Sequence, residues 1–293
     1  MTRGEPASTK GAPTLSRTDL AALAPRLQAS FAGRCLRGFV ALEGVDRALV
    51  IAAQAFTALI PLLILASALA PKGQRDAVAN TVIRRFGLEG DAASAVQTLF
   101  TRPETATGEL SLLSLLLVLV SGVSFTRRVQ RMYQQAWGLP RLGVRGPVNA
   151  ALGLGALLLE ILLLYLLRSL ARGLPLDRLL ALPISIVAGV VLWTSIPWLL
   201  LDRRVDWRRL VPAGVLAAAG ISLYGVATSI YMPGLIERYS ERFGVFGVTV
   251  ALVGWLLCVA LVLVATTVIG AEFDRTQAPW ARRLKARFRL PSQ

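Results

Sequence analysis

The residue whose type and position most clearly suggest chemistry is Glu160, which lies between apolar residues at 157–159 and 161–164. An ionised carboxylate inside a bilayer costs about 2.5–3.5 kcal/mol on insertion scales, so it is expected to face a protein interior or a water-filled cavity. In a helix, Asn149 would lie on the same face as Glu160 because side-chain directions repeat about every 3.6 residues. The pattern predicts a carboxylate that titrates or contacts a substrate; the alternative is a protonated or hydrogen-bonded contact between helices.

A second polar stripe consists of Gln54 and Thr57, followed one turn later by Pro61. The amide and hydroxyl groups can form hydrogen bonds between helices, and Pro61 removes a backbone donor. We expect Glu160, Asn149, Gln54 and Thr57 to form one polar site within the membrane. The alternative is that these residues serve helix packing and local bending of the helix and do not contact a substrate.

Conventional catalytic motifs are absent from the sequence. It has no histidine, and its two cysteines, Cys35 and Cys258, are too far apart in the chain for a CxxC metal site. No P-loop, GxSxG or HExxH motif occurs. We therefore expect a protein that is not an enzyme and that holds no metal ion and no cofactor.

The elements that must position these residues are membrane-spanning helices. An apolar fraction of 55% and a mean hydropathy of +0.59 are too high for a water-soluble chain of this size. Crossing a hydrocarbon core of about 30 Å takes roughly 20 apolar residues, and six continuous stretches come near this length. The sequence predicts an all-α, polytopic membrane helix bundle with about six transmembrane helices, at 48–70, 110–125, 147–167, 182–201, 210–231 and 243–271.

Positive charge is concentrated in the two tails and in the segments 127–146 and 202–209. Since cytoplasmic segments carry the excess of Arg and Lys, the pattern predicts that both termini are cytoplasmic (N-in and C-in). The same location makes anionic membrane lipids, rather than nucleic acid, the expected partner of the net charge of +15. We expect a disordered cytoplasmic tail at 1–30, a transmembrane domain at 31–274 and a basic cytoplasmic tail at 275–293.

The longest segment on the opposite side of the membrane is 71–108. Apolar residues recur there at helical spacing in two short groups, Val78, Val82 and Phe86, then Ala92, Ala95, Val96 and Leu99. Two short amphipathic helices packed over the bundle or lying on the membrane surface are expected, with a disordered loop as the alternative.

Three blocks of sequence resemble the YihY/virulence factor BrkB family of membrane proteins: AFTALIPLL at 55–63, YQQAWG at 133–138, and FGVFG at 243–247 with a long apolar run to GAEF at 270–273. Their order and spacing agree over residues 31–274, and the last block is the most specific. Gln135 stands where the family would have Asn.

The resemblance implies a six-helix protein of the bacterial inner membrane, with a role in envelope integrity and in the transport or flipping of a lipid or envelope precursor. A ribonuclease label once given to this family has no support here, because RNA hydrolysis needs an acid-base or metal cluster. The positions that match the family's pattern are Pro61, Trp137, Gly244, Gly247, Gly270 and Glu272.

Two functions therefore compete. Glu160 and the polar stripes favour a transporter or flippase, whereas the segment 71–108 would serve a non-catalytic membrane scaffold that binds another protein or an envelope polymer. A membrane-embedded enzyme is a third hypothesis.

Overall fold

The computed structural model describes residues 29–69, 107–143, 145–171 and 177–287, together with positions 80, 83, 93, 94 and 97, but not the side chains of 60–69, 107–115, 157, 160–171, 177–185, 240, 245, 284 and 287. All regular secondary structure in these ranges is helical. The helices are α1 (Phe31–Ala41), α2 (Gly44–Leu69), α3 (Thr107–Ala136), α4 (Arg145–Ala171), α5 (Asp177–Leu200), α6 (Trp207–Tyr239), α7 (Phe246–Arg275) and α8 (Pro279–Arg287).

Helices α6 and α7 form an antiparallel hairpin. They belong to one 69-residue helical stretch that is broken at Gly244, whose φ of 57° and ψ of −140° are accessible mainly to glycine. Beyond this bend the two helices lie side by side, because a Cβ placed on Gly270 would meet Ala213 and one placed on Gly220 would meet Val262. Gly244 therefore marks the turn of the hairpin.

By length and composition, α6 and α7 are the two helices among the described residues that can cross a membrane, with mean hydropathies of 1.8 and 2.8. Many large apolar side chains also lie exposed on the outside of α2 to α7, where water would disfavour a continuous patch. Examples are Leu49, Leu116, Leu152, Leu159, Ile186, Leu223, Ile230 and Phe246.

The main hydrophobic core lies where α2, α3, α5, α6 and α7 meet. Its members include Ile51, Met132, Leu201, Leu210 and Val264, each at most 4% exposed. A second core lies beside the bend of the hairpin and contains Met232, Ile236, Val248 and Ala251, with Ile83 and Ala93 packed against it.

The two short helices α1 and α8 pack at the same end of the bundle. The side chain of Ser30 caps α1 by accepting a hydrogen bond of 3.1 Å from the Gly33 backbone. The Phe31 ring meets Trp280 of α8 edge to face, with 5.4 Å between centroids. The C-terminal segment that the sequence identifies as a basic tail thus contains a docked helix.

The predicted apolar runs lie in α2 to α7, so the all-helical fold class is confirmed for the described residues. Helix α3 continues well beyond the apolar run at 110–125 to Ala136, and brings several arginines into regular structure. The tail at 1–28 and most of 71–108 lie outside the described residues; positions 80, 83, 93, 94 and 97 of that segment are helical.

Candidate functional site

Charged segments from four parts of the chain meet at one end of the bundle, here called the basic end. It comprises the α1–α2 junction, the loop after α3, the α5–α6 loop and the α7–α8 junction. The Arg275 guanidinium donates to the carbonyl of Ala136, and Arg204 donates to the carbonyl of Pro140 at 3.1 Å. The described parts of the segments that the sequence assigns to one side of the membrane are therefore neighbours.

The block YQQAWG ends α3 and shapes the basic end. Gly138 has a φ of 67°, the Leu139 backbone N–H donates to the Gln134 carbonyl at 2.7 Å, and the Gly138 N–H donates to the Gln135 carbonyl at 3.1 Å. This is the Schellman arrangement, in which a left-handed glycine satisfies the last carbonyls of a helix.

The Trp137 ring lies 6.1 Å from that of Tyr133 and packs against the main core. Its Nε1 is buried and has no hydrogen-bond partner among the described residues.

A cavity of about 550 Å³ opens between the first turns of α2 and the last turns of α3. It is lined by Glu43, Asp46, Arg47, Val50, Ile51, Arg128, Arg131, Gln134, Gln135, Gly138, Leu139 and Arg141. Arg128, Arg131 and Gln135 recur at helical spacing, so one face of α3 supplies much of the polar wall.

Two of the four cavity arginines are fixed by other residues. Arg47 donates from Nε to the Leu42 carbonyl and from a terminal nitrogen to Oε1 of Gln135. Nε of Arg128 donates to Oε1 of Gln54 at 3.2 Å. Gln54, which the sequence assigns to an intramembrane site, thus supports the wall of this cavity.

The other two arginines, Arg131 and Arg141, are exposed and form no ion pair within the described part of the chain. The same holds for the cavity carboxylates of Glu43 and Asp46. Gln134, only 3% exposed, has an amide nitrogen without a hydrogen-bond partner among the described residues. The cavity therefore retains unused hydrogen-bonding capacity.

A smaller pocket of about 210 Å³ is lined by Glu272 together with residues of α1 and α3. Glu272 is paired with Arg34 of α1, with Nε and Oε1 2.6 Å apart, and a terminal nitrogen of Arg34 donates to Thr276 at 3.1 Å. Burial raises the pKa of the neighbouring Cys35 thiol, the Glu272 carboxylate raises it further, and the Arg34 guanidinium lowers it. Glu272 thus holds α1 against the end of α7.

Asp274 connects three helices at the basic end. Its carboxylate receives a bidentate pair of hydrogen bonds from Arg209 of α6, the shortest at 2.7 Å. Lys285 of α8 is 5% exposed and donates to the backbone carbonyls of Asp274 and Thr276 at 2.8 and 3.0 Å. The two bonds from the Lys285 ammonium group are charge-assisted and satisfy backbone carbonyls at the C-terminal end of α7.

Asn149 has a different neighbourhood from Gln54 and Thr57. Its amide donates to the carbonyls of Leu199 and Leu200, where Gln130 also donates, and so satisfies the end of α5. The Thr57 hydroxyl donates within its own helix to the Gln54 carbonyl at 2.9 Å. The described contacts do not join these residues into one polar site.

Glu160 and Pro61 lie within α4 and α2, and their side chains fall outside the described residues. Gly247 and Gly270 are points of close approach. A Cβ on Gly247 would lie 2.0 Å from the Tyr239 carbonyl oxygen, and one on Gly270 would lie 2.3 Å from Cβ of Ala213.

From the sequence, the cavity arginines are interpreted only as markers of the cytoplasmic side of the membrane and as groups that attract anionic lipid. Two features of the sequence could have indicated an anion site: Arg128 and Arg131 continue the helix beyond an apolar run, and the segment 127–146 contains no acidic residue. That the α1–α2 junction lies opposite them depends on packing between helices distant in sequence.

One comparison with known proteins identifies a family. No curated protein and no solved structure is significantly similar to the chain. Residues 35–288 match the family described as Virulence factor BrkB, a range that includes the cavity, the hairpin and α8. The chain is therefore a membrane protein of the virulence factor BrkB family.

Proposed function

We propose that this protein is a multi-pass protein of the bacterial inner membrane that supports envelope integrity by translocating an anionic lipid or lipid-linked envelope precursor. The observation that carries the proposal is the cavity at the basic end. Its wall combines four arginines with apolar Val50, Ile51 and Leu139. A headgroup and the start of an acyl or isoprenoid chain would find matching surfaces there.

The proposal includes six membrane spans, one for each helix from α2 to α7, with both termini in the cytoplasm. The basic end then lies at the cytoplasmic surface, where arginine is favoured near anionic lipid. Helices α1 and α8 would lie at the interface, consistent with the exposure of Leu36, Val40 and Trp280.

In this mechanism the cavity collects the anionic headgroup from the inner leaflet, and the lipid chains stay along the apolar outer surface of the bundle. Glu160 in α4 is the candidate titrating group, because a carboxylate at this depth is costly unless it is protonated or solvated. The protein acts without a cofactor, without nucleic acid and without covalent catalysis.

Reconstitution into liposomes tests the proposal. Vesicles that contain fluorescent phosphatidylglycerol, or a labelled lipid-linked precursor, are treated with a membrane-impermeant quencher, and the rate at which the label crosses the bilayer is measured. We expect wild-type protein to accelerate the exchange and Glu160→Gln to bring it close to the rate of protein-free vesicles.

The matched control is Glu237→Gln, since Glu237 is an exposed residue of α6 outside both cavities. Its exchange rate should equal that of wild type. Failure of wild-type protein to accelerate exchange of any anionic lipid would contradict the proposal.

A second candidate function is a scaffold that acts through the segment 71–108. It is favoured by one observation: Ile83 and Ala93 pack against the core beside the bend of the α6–α7 hairpin. A segment held there would present a shaped surface to the periplasm. Replacing residues 71–106 by a short flexible linker would then abolish envelope function while lipid exchange by purified protein persists.

A further inference from the structure

The cavity at the basic end has the donors of a phosphate site. Guanidinium groups present planar, charged donors that match two phosphate oxygens at once, and such bonds are stronger than those between neutral groups. Arg131 and Arg141 are exposed at the cavity and have no carboxylate partner among the described residues. Neither guanidinium group is held by a carboxylate, so both can pair with a bound anion.

The remaining donors make the site directional. Gln135 binds one terminal nitrogen of Arg47 and Gln54 binds Nε of Arg128, which holds both guanidinium groups in place. Preorganised donors bind more tightly than mobile ones, because less side-chain freedom is lost on binding. Gln134 also lines the cavity, but its amide nitrogen is buried, so the guanidinium groups are the donors that a ligand would reach.

Two carboxylates that line the cavity restrict the ligand further. Glu43 and Asp46 are exposed, line the same space, and form no ion pair among the described residues. Carboxylates repel a bare anion but accept hydrogen bonds from hydroxyl or ammonium groups. A ligand that pairs with both kinds of charged group carries a phosphate together with a hydroxyl or amine.

We infer that the cavity formed by α2 and α3 is a binding site for a phosphate ester whose alcohol portion carries a hydroxyl or amino group, held by Arg131 and Arg141 and oriented by Glu43 and Asp46. A volume of about 550 Å³ accommodates a headgroup of this size. The inference deepens the proposed function and rests on it only for the idea that the ester is part of a membrane lipid. A free phosphate ester has the same chemistry.

Binding to the full-length protein in nanodiscs distinguishes the two sources. In nanodiscs of neutral phosphatidylcholine, glycerol 3-phosphate is titrated and its affinity is measured by calorimetry, with inorganic phosphate as a comparison. In a second series the nanodiscs contain phosphatidylglycerol, and bound lipid is counted by native mass spectrometry. Saturable binding of glycerol 3-phosphate assigns the site to a soluble ester, and selective retention of phosphatidylglycerol assigns it to a lipid.

The test variant is Arg131→Gln combined with Arg141→Gln. Because two charge-assisted contacts are lost, the affinity for the bound ester should fall by about tenfold or more. The control is Arg145→Gln combined with Arg282→Gln, which removes the same charge from exposed residues outside both cavities. We expect the control to bind as wild type does.

Equal loss in both double variants would overturn the inference, since it would show general attraction to a basic surface. Binding of neither ester to wild type would also overturn it. Replacing Glu43 and Asp46 by Gln and Asn should reduce the preference for glycerol 3-phosphate over inorganic phosphate, and an unchanged preference would remove the role assigned to them. Because binding is measured without transport, the site can stand if lipid translocation fails, and translocation can stand if the site fails.

Discussion

At the scale of single residues, arginines at the basic end have two different roles. Arg209 and Arg34 are paired with Asp274 and Glu272 and tie helices together. Arg131 shares their residue type but has no carboxylate partner among the described residues. Charge alone therefore does not distinguish structural arginines from those available to a ligand; their neighbours do.

The pKa of the Cys35 thiol reports on the Arg34–Glu272 pair. The Glu272 carboxylate raises the pKa of this thiol and the Arg34 guanidinium lowers it, in addition to the larger increase caused by burial. In a Cys258→Ser background, Glu272→Gln should lower the Cys35 pKa, because a nearby negative charge that opposes thiolate formation is lost. The thiolate will then form at lower pH, and the pH profile of alkylation by iodoacetamide measures the shift.

The opposite variant, Arg34→Gln, should raise the pKa of Cys35 and move the alkylation profile to higher pH. Asp202→Asn is the control, because Asp202 lies in the α5–α6 loop and is not among the groups that shift the Cys35 pKa. A rise in the pKa with Glu272→Gln would contradict the placement of this pair beside the thiol.

At the scale of elements, glycine determines how α6 and α7 pack. A Cβ on Gly270 would come within 2.3 Å of Cβ and 2.7 Å of Cα of Ala213, so the two helices would have to separate. Gly270→Ala should therefore destabilise the protein by about 1–3 kcal/mol, as expected for overpacking. Gly254 of the same helix is different, because a Cβ placed on it would have nothing within 4 Å.

Gly254→Ala is thus the matched control and should be neutral, or stabilising by up to about 1 kcal/mol through helix propensity. Unfolding of the purified protein in mixed micelles with increasing dodecyl sulfate measures both variants. Equal stability of Gly270→Ala and wild type would show that α6 and α7 are farther apart than described.

The bend at Gly244 depends on backbone conformation rather than on space. Nothing lies within 4 Å of a Cβ placed there, but its φ of 57° and ψ of −140° disfavour any other residue. Gly244→Ala should cost about 1–3 kcal/mol in the same unfolding assay. Gly234→Ala, also in open surroundings but with ordinary backbone angles, should change stability by less than about 1 kcal/mol.

At the scale of the whole molecule, the basic end gathers chain segments that are far apart in sequence. Arg47 contacts Gln135, Arg34 contacts Glu272, and Arg204 contacts the Pro140 carbonyl. If these contacts lie at the cytoplasmic surface, then α3, α5 and α7, which are the second, fourth and sixth proposed spans, must each end at that surface. The arrangement is compatible with six spans and makes a topological prediction.

Cysteine labelling tests this topology. In a Cys35→Ser, Cys258→Ser background, a membrane-impermeant maleimide should label Gly90→Cys in intact spheroplasts, because 71–108 is predicted to be periplasmic. Lys10→Cys should be labelled only after the membrane is permeabilised. Labelling of Lys10→Cys in intact spheroplasts would place the N-terminus outside and would contradict the orientation inferred from charge.

The sequence by itself determined the helical class, the boundaries of the apolar runs and the segments in which charge concentrates, because each depends on residues close together in the chain. Through the resemblance to a family it also singled out Gly244 and Glu272 as positions of the family's pattern, without giving their contacts. It could not show that Asn149 satisfies the end of α5 or that Gln54 holds Arg128, since a polar residue's partner is set by which helices meet.

Only the tertiary structure showed which charged residues share the cavity at the basic end. Glu43 and Asp46 lie near the start of α2, and Arg131 and Arg141 lie near or just after the end of α3, so most of both helices separates them in the sequence. Packing of those helices brings them to one cavity, and the Schellman turn at Gly138 directs the Arg141 loop toward it. Local patterns carry no information about such a pairing, because it is set by the free energy of packing the whole bundle.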